Sequence, residues 1–149
     1  MTDLNATELA SQCAQAMLAR DRASLALGMQ LLSVAPGRAR LSMPVRADMI
    51  QGHGTCHGGY IFTLADSAFA VACNTYNQVT IGLGCSIDYI APALMGDTLN
   101  ASCVEQSRGG RTGNYDVRVE NQNGQLIALF HGKSYKVQGT VLAQETADE

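Results

Sequence analysis

From Tyr60 to Tyr76 the chain is apolar or small almost all round, through Ile61, Phe62, Leu64, Ala65, Ala68, Phe69, Val71 and Ala72. That is the composition of a helix buried on most of its faces, and it constrains the fold more than any other segment. The rest must supply the surfaces that bury it. Ala39, Leu41, Met43 and Val45 alternate with Arg38, Arg40 and Ser42 behind a Pro36-Gly37 turn, the period-two pattern of a half-buried strand whose hairpin partner is Met29 to Ala35. Further strands are expected over Val79–Ile90, Asp97–Ser107, Gly113–Asn121 and Gln125–Val137, the last two joined across the Asn123-Gly124 turn signal.

Ahead of these, Asn5 with Glu8 three residues on marks a helix start, and Leu9, Cys13, Ala16 and Met17 recur at helical spacing, so a first helix is expected over about 5–20. The chain breaks at Asp21-Arg22, is irregular from Ala47 to Cys56, and ends in a polar, acidic tail from about 138 that is expected to fray. At 149 residues the expectation is a single α+β domain over 1–149. In it an antiparallel sheet wraps around one long central helix at about 58–76.

With 46% hydrophobic and 15% charged residues the chain can fill a core and is too apolar for intrinsic disorder. Ten basic against thirteen acidic residues give a net charge of −3, which argues against nucleic acid or an anionic membrane as the partner, so an anionic ligand must be held by a local cluster. The cysteines at 13, 56, 73, 85 and 103 are odd in number and lack a CxxC, so they are expected to be small buried hydrophobes in a reducing compartment. The start, Met1 to Asn5, lacks the pattern of a signal peptide, and no apolar stretch reaches the roughly eighteen residues of a membrane span. A cytoplasmic location is the expectation.

Asp66 lies in the middle of the most apolar helix. Burying an ionised carboxylate without partners is expensive, which leaves two readings, a functional group or a structural hydrogen-bonding one. Gly58 and Gly59 sit where that helix begins, where unpaired backbone N–H groups can receive an oxyanion or where glycine simply permits a tight turn. Together these features supply what acyl transfer to water needs. Eight residues between Gly58 and Asp66 span roughly 12 Å of helix, too far for one carbonyl to touch both. If both act in one site, they come from two antiparallel copies of the helix, and the active unit is at least a two-fold dimer.

His53, Cys56 and His57 could clasp zinc, but no HExxH or paired cysteine motif accompanies them, so no metal site is expected. Cys56 beside His57 is a poor nucleophile pair because adjacent side chains seldom face one another, and the chain has no GxSxG. The turn Arg108-Gly109-Gly110-Arg111-Thr112-Gly113 reads either as a phosphate nest or as an ordinary glycine hairpin with solvated arginines.

The run from His57-Gly58-Gly59 through Leu64-Ala65-Asp66-Ser67 to Ala72-Cys73-Asn74 closely resembles the signature of hot-dog-fold acyl-CoA thioesterases of the PaaI type, from bacterial phenylacetate degradation. The similarity extends over Gly52-His53, Ile87-Asp88-Tyr89, Gly96 to Leu99, Thr112-Gly113, Ala128 to Phe130 and Gly132 to Ser134. The resemblance implies a hot-dog fold and hydrolysis of phenylacetyl-CoA or a ring-hydroxylated relative to free acid and CoA. It implies no cofactor, coenzyme A being part of the substrate. Asp66 would be the catalytic carboxylate, and Gly58 would donate its N–H to the thioester oxygen from the neighbouring subunit. His57 joins the expected catalytic set, as does Gln51, which stands where the family commonly has Asn. Gly59, Arg108, Arg111, Thr112 and Lys133 are the expected substrate-binding residues, the three basic ones toward the CoA phosphates. The expected assembly is a homo-oligomer, at least a dimer, with a tetramer anticipated. A hot-dog enoyl-CoA hydratase using His57 with Asp66, and an acyl-CoA-binding sensor without turnover, are the alternatives.

Overall fold

The structure, a computed structural model, describes residues 4–143. Asn5 caps the first helix, α1 (Ala6–Arg20), by accepting the Glu8 N–H at 2.8 Å. Asp21 then both closes α1 and caps a short second helix, α2 (Arg22–Ala26), which lies in the expected break. Strands β1 (Gln30–Ala35) and β2 (Arg38–Pro44) form the expected hairpin. Its turn uses Gly37 in the left-handed region, and the Gly37 N–H is held by the Thr75 hydroxyl at 2.8 Å.

A loop with one 3-10 turn (Ala47–Met49) leads into the central helix α3 (Gly58–Cys73), followed by β3 (Thr80–Tyr89), β4 (Thr98–Gly109), β5 (Thr112–Glu120) and β6 (Leu126–Lys136). The strands make one antiparallel sheet in the order β1-β2-β4-β5-β6-β3. α3 packs against its concave face through Ile61, Leu64, Ala65, Ala68, Phe69 and Ala72. Bulges at Leu31/Ser33, Gly82/Gly84, Glu105/Ser107 and Val119/Glu120 add the local bending a sheet needs to curl around a helix. This is the hot-dog arrangement.

α3 stops at Cys73, three residues before the apolar pattern does. Asn74 turns the chain there, its side-chain N–H group donating to the carbonyls of Ala70 and Thr80 while its oxygen accepts the Thr80 N–H. The expectation of a frayed tail from 138 also gives way where the chain is described. Val141 is 5% exposed, its carbonyl accepts from Arg20, and the Leu142 N–H reaches Asn77. Residues 144–149, like Met1 to Asp3 of the expected leaderless start, lie outside the described residues. Four of the cysteines are buried as expected; Cys85 is exposed, because β3 is an edge strand.

Candidate active site

The loop before α3 arranges its own polar groups around the helix start. Gln51 accepts the His53 N–H at 2.5 Å and donates to the Thr55 hydroxyl at 2.7 Å, so its amide is fixed in the loop with one N–H still to offer. His57 is the N-cap of α3, and its Nδ1 accepts the Gly59 N–H at 2.8 Å while its carbonyl accepts that of Tyr60. The Gly58 N–H has no acceptor among the described residues. It lies at the positive end of the helix macrodipole, in a groove lined by Gln51, Thr55, Cys56, Ile61 and Tyr89. Of the two glycines at the helix start, Gly58 therefore presents the free donor, and the Gly59 N–H is already engaged.

Two turns further along α3, Asp66 is half-buried and accepts no hydrogen bond among the described residues. The neighbouring Ser67 hydroxyl meets Ser24 of α2 at 3.2 Å and not the Asp66 carboxylate. Burial pushes the Asp66 carboxyl above the usual carboxylate range. Its groove is lined by Phe62, Phe69, Ala70 and the residues of β3 from Thr80 to Cys85. One chain thus holds the free N–H and the free carboxylate in separate grooves, and β3 runs along both.

The remaining expected residues lie elsewhere. Arg108 is occupied, its guanidinium 3.5 Å above the Tyr76 ring and its Nε 3.5 Å from Glu105. Arg111 is fully exposed at the β4–β5 turn and donates to the Tyr135 hydroxyl at 3.3 Å. That turn is a two-residue glycine hairpin, with Gly110 in the left-handed region and Thr112 paired to Gly109. Lys133 points to the outer face of the sheet, since its neighbours Gly132 and Ser134 face inward, so the three cations do not converge within one chain. Cys56 donates to the His57 carbonyl, and burial pushes its thiol up, away from a reactive thiolate. Among the described residues no three His, Cys, Asp or Glu side chains are grouped to hold a metal.

Sequence reasoning missed two features. Glu105 accepts from Tyr115 at 2.8 Å and from Tyr76 at 3.1 Å, tying the far end of α3 to β4 and β5. The other is Tyr89, whose hydroxyl donates to the Gly58 carbonyl at 3.0 Å. Both pairings join residues distant in sequence, and no local pattern announces them.

The chain resembles known proteins over most of its length. Residues 53–128 match the family model described as the thioesterase superfamily. The chain is 42% identical over 133 residues to the acyl-coenzyme A thioesterase PaaI of Escherichia coli K12, covering 89% of this chain and 95% of the relative. The solved structure of the E. coli PaaI protein, from the phenylacetic acid degradation operon, superposes with a TM-score of 0.90 at 41% identity, covering 91% of this chain and 99% of that one. A Streptococcus mutans protein solved with acetyl-CoA bound is 27% identical, with a TM-score of 0.72 over 74% of this chain and 90% of that one.

Proposed function

This chain belongs to the thioesterase superfamily and is an acyl-CoA thioesterase, and from that premise we propose that it hydrolyses phenylacetyl-CoA or a ring-hydroxylated phenylacetyl-CoA. The products are the arylacetic acid and CoA. The observation that carries the reading is the Asp66 carboxylate, without a hydrogen-bond partner among the described residues and set in a groove walled by Phe62 and Phe69. Ionised, it takes a proton from water attacking the thioester carbon, or attacks that carbon itself. In either route the developing oxyanion is received by the Gly58 N–H and the C–S bond breaks. In the first the proton taken from water passes to the CoA thiolate, and in the second the acyl group stays on Asp66 as an anhydride that water then hydrolyses, giving the acid, the protonated thiol and the free carboxylate. None of these steps calls on a metal or a cofactor.

The site takes its two halves from two chains, Asp66 from one and Gly58 from its partner. Two features support this. Gly58 and Asp66 stand in different grooves of one chain. Edge strand β3, which borders both, exposes Ile81, Leu83 and Tyr89 at 49%, 58% and 51%, an apolar edge that a second copy would cover. The assembly is therefore at least a dimer, and we expect two dimers to pair into a tetramer. The test is free-thiol release across acetyl-, hexanoyl-, phenylacetyl- and hydroxyphenylacetyl-CoA. An arylacetyl ester should give the highest kcat/KM; a preference for the straight-chain esters would overturn the substrate assignment.

A further inference from the structure

Tyr89 closes β3 opposite Ala128, and its ring lies directly over Gly58. A Cβ built on Gly58 would come within 2.8 Å of the ring Cζ, 3.0 Å of the hydroxyl oxygen and 3.1 Å of Cε1. Gly58 does not occupy the left-handed region, so its backbone conformation does not require glycine. The requirement comes from a side chain on another element. The same phenol donates to the Gly58 carbonyl at 3.0 Å.

The first turn of a helix lacks the preceding carbonyls that fix later N–H groups, so its orientation must be set from outside. Here His57 engages the N–H of Gly59 and leaves that of Gly58 free, while Tyr89 holds the carbonyl side of the same residue. An oxyanion donor is effective only when held about 2.7–3.1 Å from the position the oxygen reaches in the transition state. Drift in its direction lowers turnover more than ground-state binding.

Resting on the assignment of Gly58 as oxyanion donor, we propose that Tyr89 is a positioning residue: its ring imposes glycine at position 58 and its hydroxyl aims the Gly58 N–H into the groove. Tyr89→Phe keeps the ring and removes the hydrogen bond. It should lower kcat about five- to tenfold with KM changed less than about twofold, and with the circular dichroism spectrum and Tm of the wild type. Gly58→Ala keeps the N–H but drives a methyl into the ring, and kcat should fall about a hundredfold. Adding Tyr89→Ala to Gly58→Ala removes the obstruction and should recover at least about tenfold, the sign of direct coupling between the two positions.

A wild-type kcat in Tyr89→Phe, or a double variant no faster than Gly58→Ala, overturns the proposal. Gly58→Pro in the Tyr89→Ala background separates this from failure of the underlying assignment, because it deletes the N–H with the ring already gone. Turnover equal to that of Tyr89→Ala alone would remove Gly58 from the mechanism. An inactive Gly58→Pro variant beside a silent Tyr89→Phe would overturn Tyr89 only.

Discussion

Asp66 is held above the ordinary carboxylate range by burial, with no donor among the described residues to offset the cost of its charge. Two consequences follow at the scale of one residue. In the proposed mechanism the ionised form is the reactive one, so the acidic limb of kcat/KM should turn above that of a solvated aspartate and rise with pH. For stability the sign is opposite. A carboxyl whose folded pKa exceeds its unfolded value binds its proton more tightly when folded, so its contribution is complete below the unfolded pKa and lost as pH rises through the folded one. Asp66→Asn should therefore lower thioester turnover about a hundredfold or more. It should leave Tm at neutral pH equal to or higher than that of the wild type. Near-normal turnover in the folded variant, measured by thiol release, would remove Asp66 from the chemistry. The sequence singled out Asp66 as a carboxylate in an apolar helix, but the missing partner was a matter of the fold.

At the scale of elements, α3 meets the sheet where Phe69 lies against Gly132 of β6. A Cβ on Gly132 would stand 2.8 Å from two atoms of the Phe69 ring. The ring is also edge-packed on Tyr115 at 5.5 Å and tilted against Phe130 at 5.9 Å, so it has nowhere to retreat except toward the Asp66 groove. Gly132→Ala should lower stability by about 1–3 kcal/mol, the usual range for overpacking a filled core. A urea titration reads this as a lower midpoint at unchanged slope. An unchanged midpoint would mean that the sheet opens freely here. The sequence placed Gly132 in the strand expected over Gln125–Val137, but the ring it faces belongs to a helix more than sixty residues earlier.

For the whole molecule, the separation of Gly58 from Asp66 makes complementation the decisive measurement. Asp66→Ala and Gly58→Pro homodimers should each be nearly inactive, one lacking the carboxylate and the other the donor. Refolded together in equal amounts, roughly half the dimers are mixed, and each mixed dimer has one intact site beside one doubly damaged site. Activity should return to roughly a quarter of wild type. Both variants must first match the wild-type circular dichroism spectrum, since proline at 58 also brings atoms toward Tyr89. If they fold and exchange subunits but the mixture stays inactive, the two-chain site is wrong.

Periodicity and turn chemistry are local, and they determined much of this protein. The apolar run from Tyr60 made α3, alternation made β2, and Asn123-Gly124 joined β5 to β6. The motif from His57 to Asp66 carried the resemblance to the family, and its spacing already separated donor from carboxylate. What lies between distant elements had no local signal. The sequence ran the apolar pattern to Tyr76, yet Asn74 ended α3 by bonding to β3. It offered Arg108, Arg111 and Lys133 alike as anion ligands, yet Tyr76 and Glu105 took the first, the β4–β5 turn exposed the second, and the pleat turned the third to the outer face. It placed two glycines at the helix start without saying which N–H would stay free. The N-cap His57 engages that of Gly59 locally, and only the tertiary structure decided that no acceptor among the described residues reaches that of Gly58, because a donor's freedom depends on which acceptors the rest of the fold brings within reach. His57 takes one N–H, and Tyr89 leaves no room for a side chain beside the other.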